Sequence, residues 1–377
     1  MISYWEKIAF TKYDLIVIGG GITGLFSALS FNKKNPDAKI AILERDIFPN
    51  GASTKNAGFA CFGSISELIE DNKKISDAAL FKLVEKRIKG LELLKKTISS
   101  KKLNLINNGG YELFFPNDLD PEEYIEKYND LLFPIYNKKI FSLKNKRIHS
   151  LGFSKEFVKK LIFNPFESQI NTGTTIFELQ KLASKKGIKI ITGANVEKFD
   201  LNSAGHEIHV LNNNLNISFK SKYLAVCSNA FSKKWFPKLD INPGRGMVLI
   251  TKPIQNLKIK GCFHYNKGYY YFRNFQNRIL FGGGRQLDLK NENTTTFGIN
   301  KLIKRSLIND LESIIIPSVN YEIDMEWSGI MAFGETKNPI IEKIHKNVVI
   351  GVRLGGMGVA LGSMVGKEVS DLLLEDS

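Results

Sequence analysis

Three glycines carry the clearest chemical meaning in this sequence: Gly19, Gly21 and Gly24, in the run Gly19-Gly20-Gly21-Ile22-Thr23-Gly24. They follow a short apolar, β-branched run, Tyr13 to Ile18, and precede a stretch of helical spacing, Leu25 to Lys34. A buried strand that turns directly into a helix brings free backbone N–H groups and the positive end of the helix dipole to one point, where a pyrophosphate binds. Gly19 permits the tight turn, Gly21 lets phosphates approach the backbone, and Gly24 lets helix and strand pack closely. A second expected strand, Lys39 to Leu43, ends at Glu44, placed to accept hydrogen bonds from ribose hydroxyls. A glycine turn alone is a weak signal. Strand, helix and acid together predict a dinucleotide site.

Two further segments suit the rest of such a ligand. After Glu44-Arg45 comes a loop of small and polar residues that includes Ser53, Thr54, Asn56, Ala57 and Gly58, with hydroxyls and backbone N–H groups for phosphates and a ring system. Near the C-terminus an expected strand, Asn347 to Val352, leads into Gly355-Gly356-Met357-Gly358-Val359 and a helix from about Ala360 to Leu374. That helix offers a second positive dipole end, suited to a ligand group that carries or develops negative charge.

Only nine of the 53 basic residues are arginines, so their positions are informative. Arg245, Arg273 and Arg285 fall where short strands alternate with turns, and Arg353 falls in the closing turn. In Gly268-Tyr269-Tyr270-Tyr271-Phe272-Arg273, strand alternation puts Tyr269, Tyr271 and Arg273 on one face. A guanidinium flanked by phenols is a ready clamp for a carboxylate. The opposite face, Tyr270 and Phe272, reads as core. His264 is a candidate proton acceptor, weighed against an ordinary structurally bonded histidine.

These groups need two kinds of scaffold. The chain has 377 residues, enough for about two domains. The nucleotide motifs call for a Rossmann-type α/β domain, expected to be discontinuous over 1–100, 151–237 and 327–377. The alternating strands call for an antiparallel-sheet α+β substrate domain, over 101–150 and 238–326. No run of about 18 apolar residues suggests a membrane span, and Met1 to Lys12 does not read as a secretory signal. Cys61, Cys227 and Cys262 are odd in number and far apart, which predicts neither a disulfide framework nor a metal site and points to a reducing, cytoplasmic setting. The net charge of +15 comes mostly from dispersed lysines rather than from a basic face interleaved with aromatics. A solvated surface is therefore preferred to nucleic-acid binding.

Taken in order, these segments resemble the FAD-dependent D-amino-acid oxidase superfamily, in its glycine oxidase, sarcosine oxidase and tRNA-modifying oxidase branch. The resemblance also covers Pro243-Gly244-Arg245-Gly246, Gly282-Gly283-Gly284 and Trp327-Ser328-Gly329, and so spans nearly the whole chain. It implies non-covalent FAD, with Ile22, Thr23, Arg45, Val196 and Ser228 joining the contacts above, Val196 through its backbone to adenine. It implies a small amine or amino-acid substrate, oxidised at the C–N bond by hydride transfer to flavin N5, with oxygen or another electron acceptor. Oxidation of a 2-hydroxy acid or polyol, or modification of tRNA, are the rival activities within this resemblance. Family cysteine links to flavin lie near the closing turn, so Cys61 reads as a small core residue. Three positions depart from the family's pattern. Met331 and Gly356 stand where relatives use arginines to hold a carboxylate, and Thr336 replaces an Asp. The substrate therefore does not carry over.

Overall fold

The computed structural model describes residues 2–202, 204–212 and 215–375. Leu15, Ile16, Val17 and Ile18 are all buried, as a strand covered on both faces requires. This strand, Lys12–Ile18, pairs in parallel with Ile40–Leu43 on one side and Leu215–Val226 on the other. Lys189–Ile191 and Val348–Val352 extend the parallel sheet outward, and Ile340–His345 closes one edge antiparallel. Helices Ile22–Lys34, Asp77–Thr97, Thr172–Lys185 and Gly358–Leu374 contribute apolar residues to the core on one face. The hairpin Asn195–Asp200/His206–Asn212 and the 3-10 turn Asn229–Lys234 contribute to the core on the other. Each fully buried Leu or Ile adds about 1.5–3 kcal/mol, so this two-sided core, more than local propensity, holds the strand–turn–helix that makes the glycine site.

The second sheet runs, in order, Ile323–Phe333, Asn242–Thr251, Arg278–Gly283, Tyr270–Phe275, Cys262–Tyr265, Gly110–Phe114, Lys160–Asn164 and Ser142–Leu143. Its pairs are antiparallel except Cys262–Tyr265 with Gly110–Phe114. Phe263, Phe272 and Phe281 point to one side, into a core completed by Ile303 and Leu307 of the helix Lys301–Asp310. Tyr271 and His264, at alternate positions, point to the other.

Two strands cross the expected domain limits. Lys160–Asn164, assigned from sequence to the nucleotide domain, belongs to the second sheet, and Ile323–Phe333 runs through the cut at 326/327. An apolar run does not say which of two sheets it joins; here Leu161 packs with Leu113 and Phe263 in the second core. The helix Tyr4–Phe10, closed by a Ser3/Glu6 capping box, was not foreseen. Among the described residues no helix is long and apolar enough to cross a membrane.

Candidate active site

A cavity of about 880 Å³ runs from the Gly19 turn to the second sheet. That is near the upper end of the usual range for small-molecule sites, about 300–1,000 Å³. At its nucleotide end, a Cβ on Gly24 would lie 1.9 Å from the Gly19 carbonyl, so only glycine lets helix and turn meet here. Gly24 supports the site without lining it, whereas Gly19, Gly21, Ile22 and Thr23 line it. The helix Ile22–Lys34 begins at Gly21 with no side-chain cap, and Ser53 Oγ accepts from the Ile22 N–H at 3.0 Å. Glu44 stands one residue past its strand, 8% exposed, with Oε2 accepting from the Gly20 N–H at 2.8 Å. Burial raises its pKa, opposed by hydrogen bonds from the Gly20 and Asp46 N–H groups.

The loop after Glu44 is held by its own polar side chains. Asn56 Nδ2 donates to the Ser53 carbonyl at 2.9 Å, and its Oδ1 accepts from the Gly58 N–H at 2.8 Å. Ser53, Asn56 and Ala57 line the cavity. Thr54 and Gly58, expected as ligand contacts, do not. Thr54 Oγ1 donates to the Pro49 carbonyl at 2.6 Å, and Gly58 takes φ +75° to pass the Ile170 carbonyl. Both shape the loop. The Trp327 indole N–H donates to the Lys55 carbonyl at 2.9 Å and so ties this loop to the second sheet. Further along the cavity, Arg45 lies over the Phe231 ring at 4.2 Å, and Val196 and Ser228 face the opening. The Val196 carbonyl accepts from Lys234 Nζ at 2.7 Å. Gly355, Gly356, Met357, Gly358 and Val359 all line the cavity, where the helix Gly358–Leu374 also begins without a side-chain cap. Arg353 instead staples this turn to Asp240, at 2.6 Å, and to the Asn338 carbonyl. Two helix starts whose own N-cap residues supply no side-chain cap, a buried carboxylate and a glycine turn on one cavity match the two ends of a dinucleotide.

At the other end, Tyr269, Tyr271, His264 and Arg285 line the wall. Tyr271 lies across Gly282, where a Cβ would sit 2.7 Å from its ring. Burial pushes its phenol up to about 12. Tyr269 is at the mouth, 36% exposed. The Arg285 guanidinium carbon lies 4.1 Å from the centroid of Phe333. Among the described residues no group accepts a hydrogen bond from this guanidinium and no carboxylate lies in ion-pair range. Met331 and Gly356 do face the cavity. His264 packs edge-on to Phe59, with Nε2 3.8 Å from Glu167 Oε2.

Two expected clamp residues are corrected. Arg273 shares its face with Tyr269 and Tyr271 but lies beyond the cavity, 4% exposed. It sits under Gly58 and reaches Gln169 Oε1 at 3.3 Å. Alternation sets the face of a side chain and not how far along the strand the cavity extends. Arg245 is consumed by Glu292 in a bidentate pair at 2.8 and 2.9 Å. Lys55, Lys267, Lys337, Phe59 and Phe333 also line the cavity and carried no sequence signal, since isolated lysines and phenylalanines occur throughout this chain.

Fold and site together define a two-domain, dinucleotide-binding oxidoreductase. The chain belongs to the DAO family, FAD dependent oxidoreductase, whose model matches residues 14–372. Among solved structures it is similar to glycine oxidase from Geobacillus kaustophilus, with TM-score 0.76 and 16% identity over 96% of this chain and 95% of that one. It is also similar to L-proline dehydrogenase from P. horikoshii, with TM-score 0.73 and 20% identity over 97% and 94%. A third is dithionite-reduced L-alpha-glycerophosphate oxidase from Mycoplasma pneumoniae with FAD bound, with TM-score 0.74 and 15% identity over 96% and 94%. A search of curated protein sequences found no match.

Proposed function

We propose that this chain oxidises the C–N bond of a small amino acid or secondary amine, held by its carboxylate on Arg285. One observation carries the reading: a half-buried guanidinium on the wall of the FAD cavity that, among the described residues, makes no hydrogen bond or close ion pair, though the Glu292 charge acts on it at longer range. A partly desolvated guanidinium is a strong site for a carboxylate, which it can hold with two parallel N–H bonds. The glycine oxidase and L-proline dehydrogenase named above support the substrate class.

Gly19, Gly21, Ser53 and the start of Ile22–Lys34 would hold the FAD pyrophosphate, Glu44 the ribose, and Gly355 to Val359 the flavin edge. Bound FAD would supply the electron sink for oxidation of the substrate carbon. The protein's own contribution is positional. Arg285 fixes the carboxylate, Phe333 backs Arg285, and Tyr269 covers the mouth. Tyr271, protonated at any physiological pH, offers an O–H donor. Electrons would leave to oxygen or another acceptor. The three buried cysteines, none of them in a disulfide, favour a reducing cytoplasmic location.

The test is anaerobic mixing of the FAD-loaded protein with amino acids, N-methyl amino acids, 2-hydroxy acids and glycerol phosphate, followed by flavin absorbance. Bleaching by an amino acid or N-methyl amino acid is expected. Bleaching by hydroxy compounds alone would overturn the amine reading and leave the flavoenzyme assignment intact.

A further inference from the structure

At the wall of the cavity three donors of different types meet, and one oxygen of Glu167 and one ring nitrogen of His264 are left without a hydrogen-bond partner. Cys61 Sγ, a carboxylate oxygen of Glu167 and a ring nitrogen of His264 all lie within 4.8 Å of one another. All three residues are buried, Cys61 at 3%, Glu167 at 2% and His264 at 7% exposure. Glu167 Oε1 and His264 Nε2 have no hydrogen-bond partner. A buried carboxylate oxygen and a buried ring nitrogen left unmatched cost about 1–3 kcal/mol each, so such a group calls for an occupant.

We propose that Cys61, Glu167 and His264 bind a divalent metal of the zinc type. The donor set is right for it: thiolate, imidazole and carboxylate are the ligands zinc takes, and thiolate plus carboxylate cancel its two charges in a buried place. Zinc bond lengths in tetrahedral geometry set ligand atoms roughly 3.3–3.8 Å apart. The Glu167–His264 separation of 3.8 Å already meets this, and the group needs to close by about 1 Å at most. Cys61 and His264 also line the FAD cavity, so the fourth position opens toward it. Three protein ligands with one open position is the arrangement of reactive rather than purely structural zinc sites. Cys262 is the neighbouring thiol. Its Sγ lies against the Ser168 carbonyl at 3.4 Å, and it is not one of the three mutually close donors. Glu167 and His264 also border a small void of about 10 Å³ with Ser64, Glu112 and Asn164. That is room for one water at most, the rival occupant. With a metal bound, His264 is a ligand and is not the proton acceptor expected from sequence. The proposal does not depend on which substrate the cavity takes.

The experiment uses full-length, FAD-loaded protein, stripped with a chelator and titrated with Co²⁺ without oxygen and with a non-thiol reductant. One equivalent should bind, with tetrahedral cobalt absorption to the red of the flavin bands, and Zn²⁺ should displace it. Cys61→Ser and Glu167→Gln, each checked for folding by thermal melt, should weaken Co²⁺ binding by more than the 10–100-fold typical of an outer-shell change. Cys262→Ser should keep one equivalent. Wild-type protein that binds well under one equivalent, or shows no tetrahedral absorption, overturns the proposal and leaves water in the void. Full Co²⁺ affinity in folded Cys61→Ser overturns it equally. Should the variants fail to fold, the wild-type titration alone decides.

Discussion

Arg285 lies over Phe333: the guanidinium carbon is 4.1 Å from the ring centroid, and both side chains line the cavity. Arg285 follows Gly284, at φ +74°, after the strand Arg278–Gly283, and Phe333 ends the strand Ile323–Phe333. The two come from opposite flanks of Asn242–Thr251, the strand between them in the sheet. A cation over an aromatic face gains about 0.5–2 kcal/mol and still has its N–H donors available to a carboxylate.

Arg285→Lys should keep the charge and lose the fork. The apparent affinity for a carboxylate substrate should fall on the order of a hundredfold, within the about 2–5 kcal/mol of a broken desolvated pair. FAD content should be unchanged. Stopped-flow flavin reduction against substrate concentration measures it. A wild-type rate and KM in the variant would remove Arg285 from the site.

Glu44→Ala should weaken FAD retention by about tenfold or more, from the loss of charge-assisted hydrogen bonds worth about 1.5–3 kcal/mol. The variant should still melt cooperatively, since Glu44 is tied to the turn through one backbone N–H at 2.8 Å. Heat precipitation of wild type should release intact FAD into the supernatant, as read by fluorescence. Equal FAD affinity in the two proteins would show that the ribose lies elsewhere.

Arg273→Lys separates support from recognition. The guanidinium is buried with Gln169 as its side-chain partner and lies outside the cavity. The variant should lose stability by about 1–3 kcal/mol, the usual cost of a misplaced buried polar group, and keep substrate KM within about twofold. Unchanged melting with a large loss of flavin reduction would return Arg273 to the substrate clamp.

Glu112 gives a pH signature. Burial, opposed first by hydrogen bonds from Ser66, pushes its carboxyl up to about 8 from an ordinary 4.5. The folded protein therefore holds this proton more tightly than the unfolded chain. Its contribution is fully present below 4.5 and declines as pH rises through about 8. Glu112→Gln, which mimics the protonated form, should gain melting temperature relative to wild type between about pH 5 and about pH 9. A difference that stays flat over that range would mean Glu112 is ionised throughout.

The nucleotide end of the site was legible because it is made from contiguous chain. Strand, glycine turn, helix and acid occupy residues 12–44, and the chemistry runs through backbone N–H groups that the glycine pattern itself exposes. Strand alternation likewise assigned Tyr270 and Phe272 to the core and Tyr271 to the cavity wall. Alternation has a period but no length scale relative to a ligand. Arg273, about 6.6 Å further along the strand than Tyr271, passes out of the cavity and under Gly58. Choosing Arg285 over Arg245 needed the position of Glu292, whose carboxylate takes Arg245 out of play from 47 residues away in the chain. The meeting of Cys61, Glu167 and His264 has no spacing to read: the two-strand pairing of Phe59–Ala60 with Ser168–Gln169 brings Cys61 beside Glu167, and the second-sheet strand Cys262–Tyr265 adds His264.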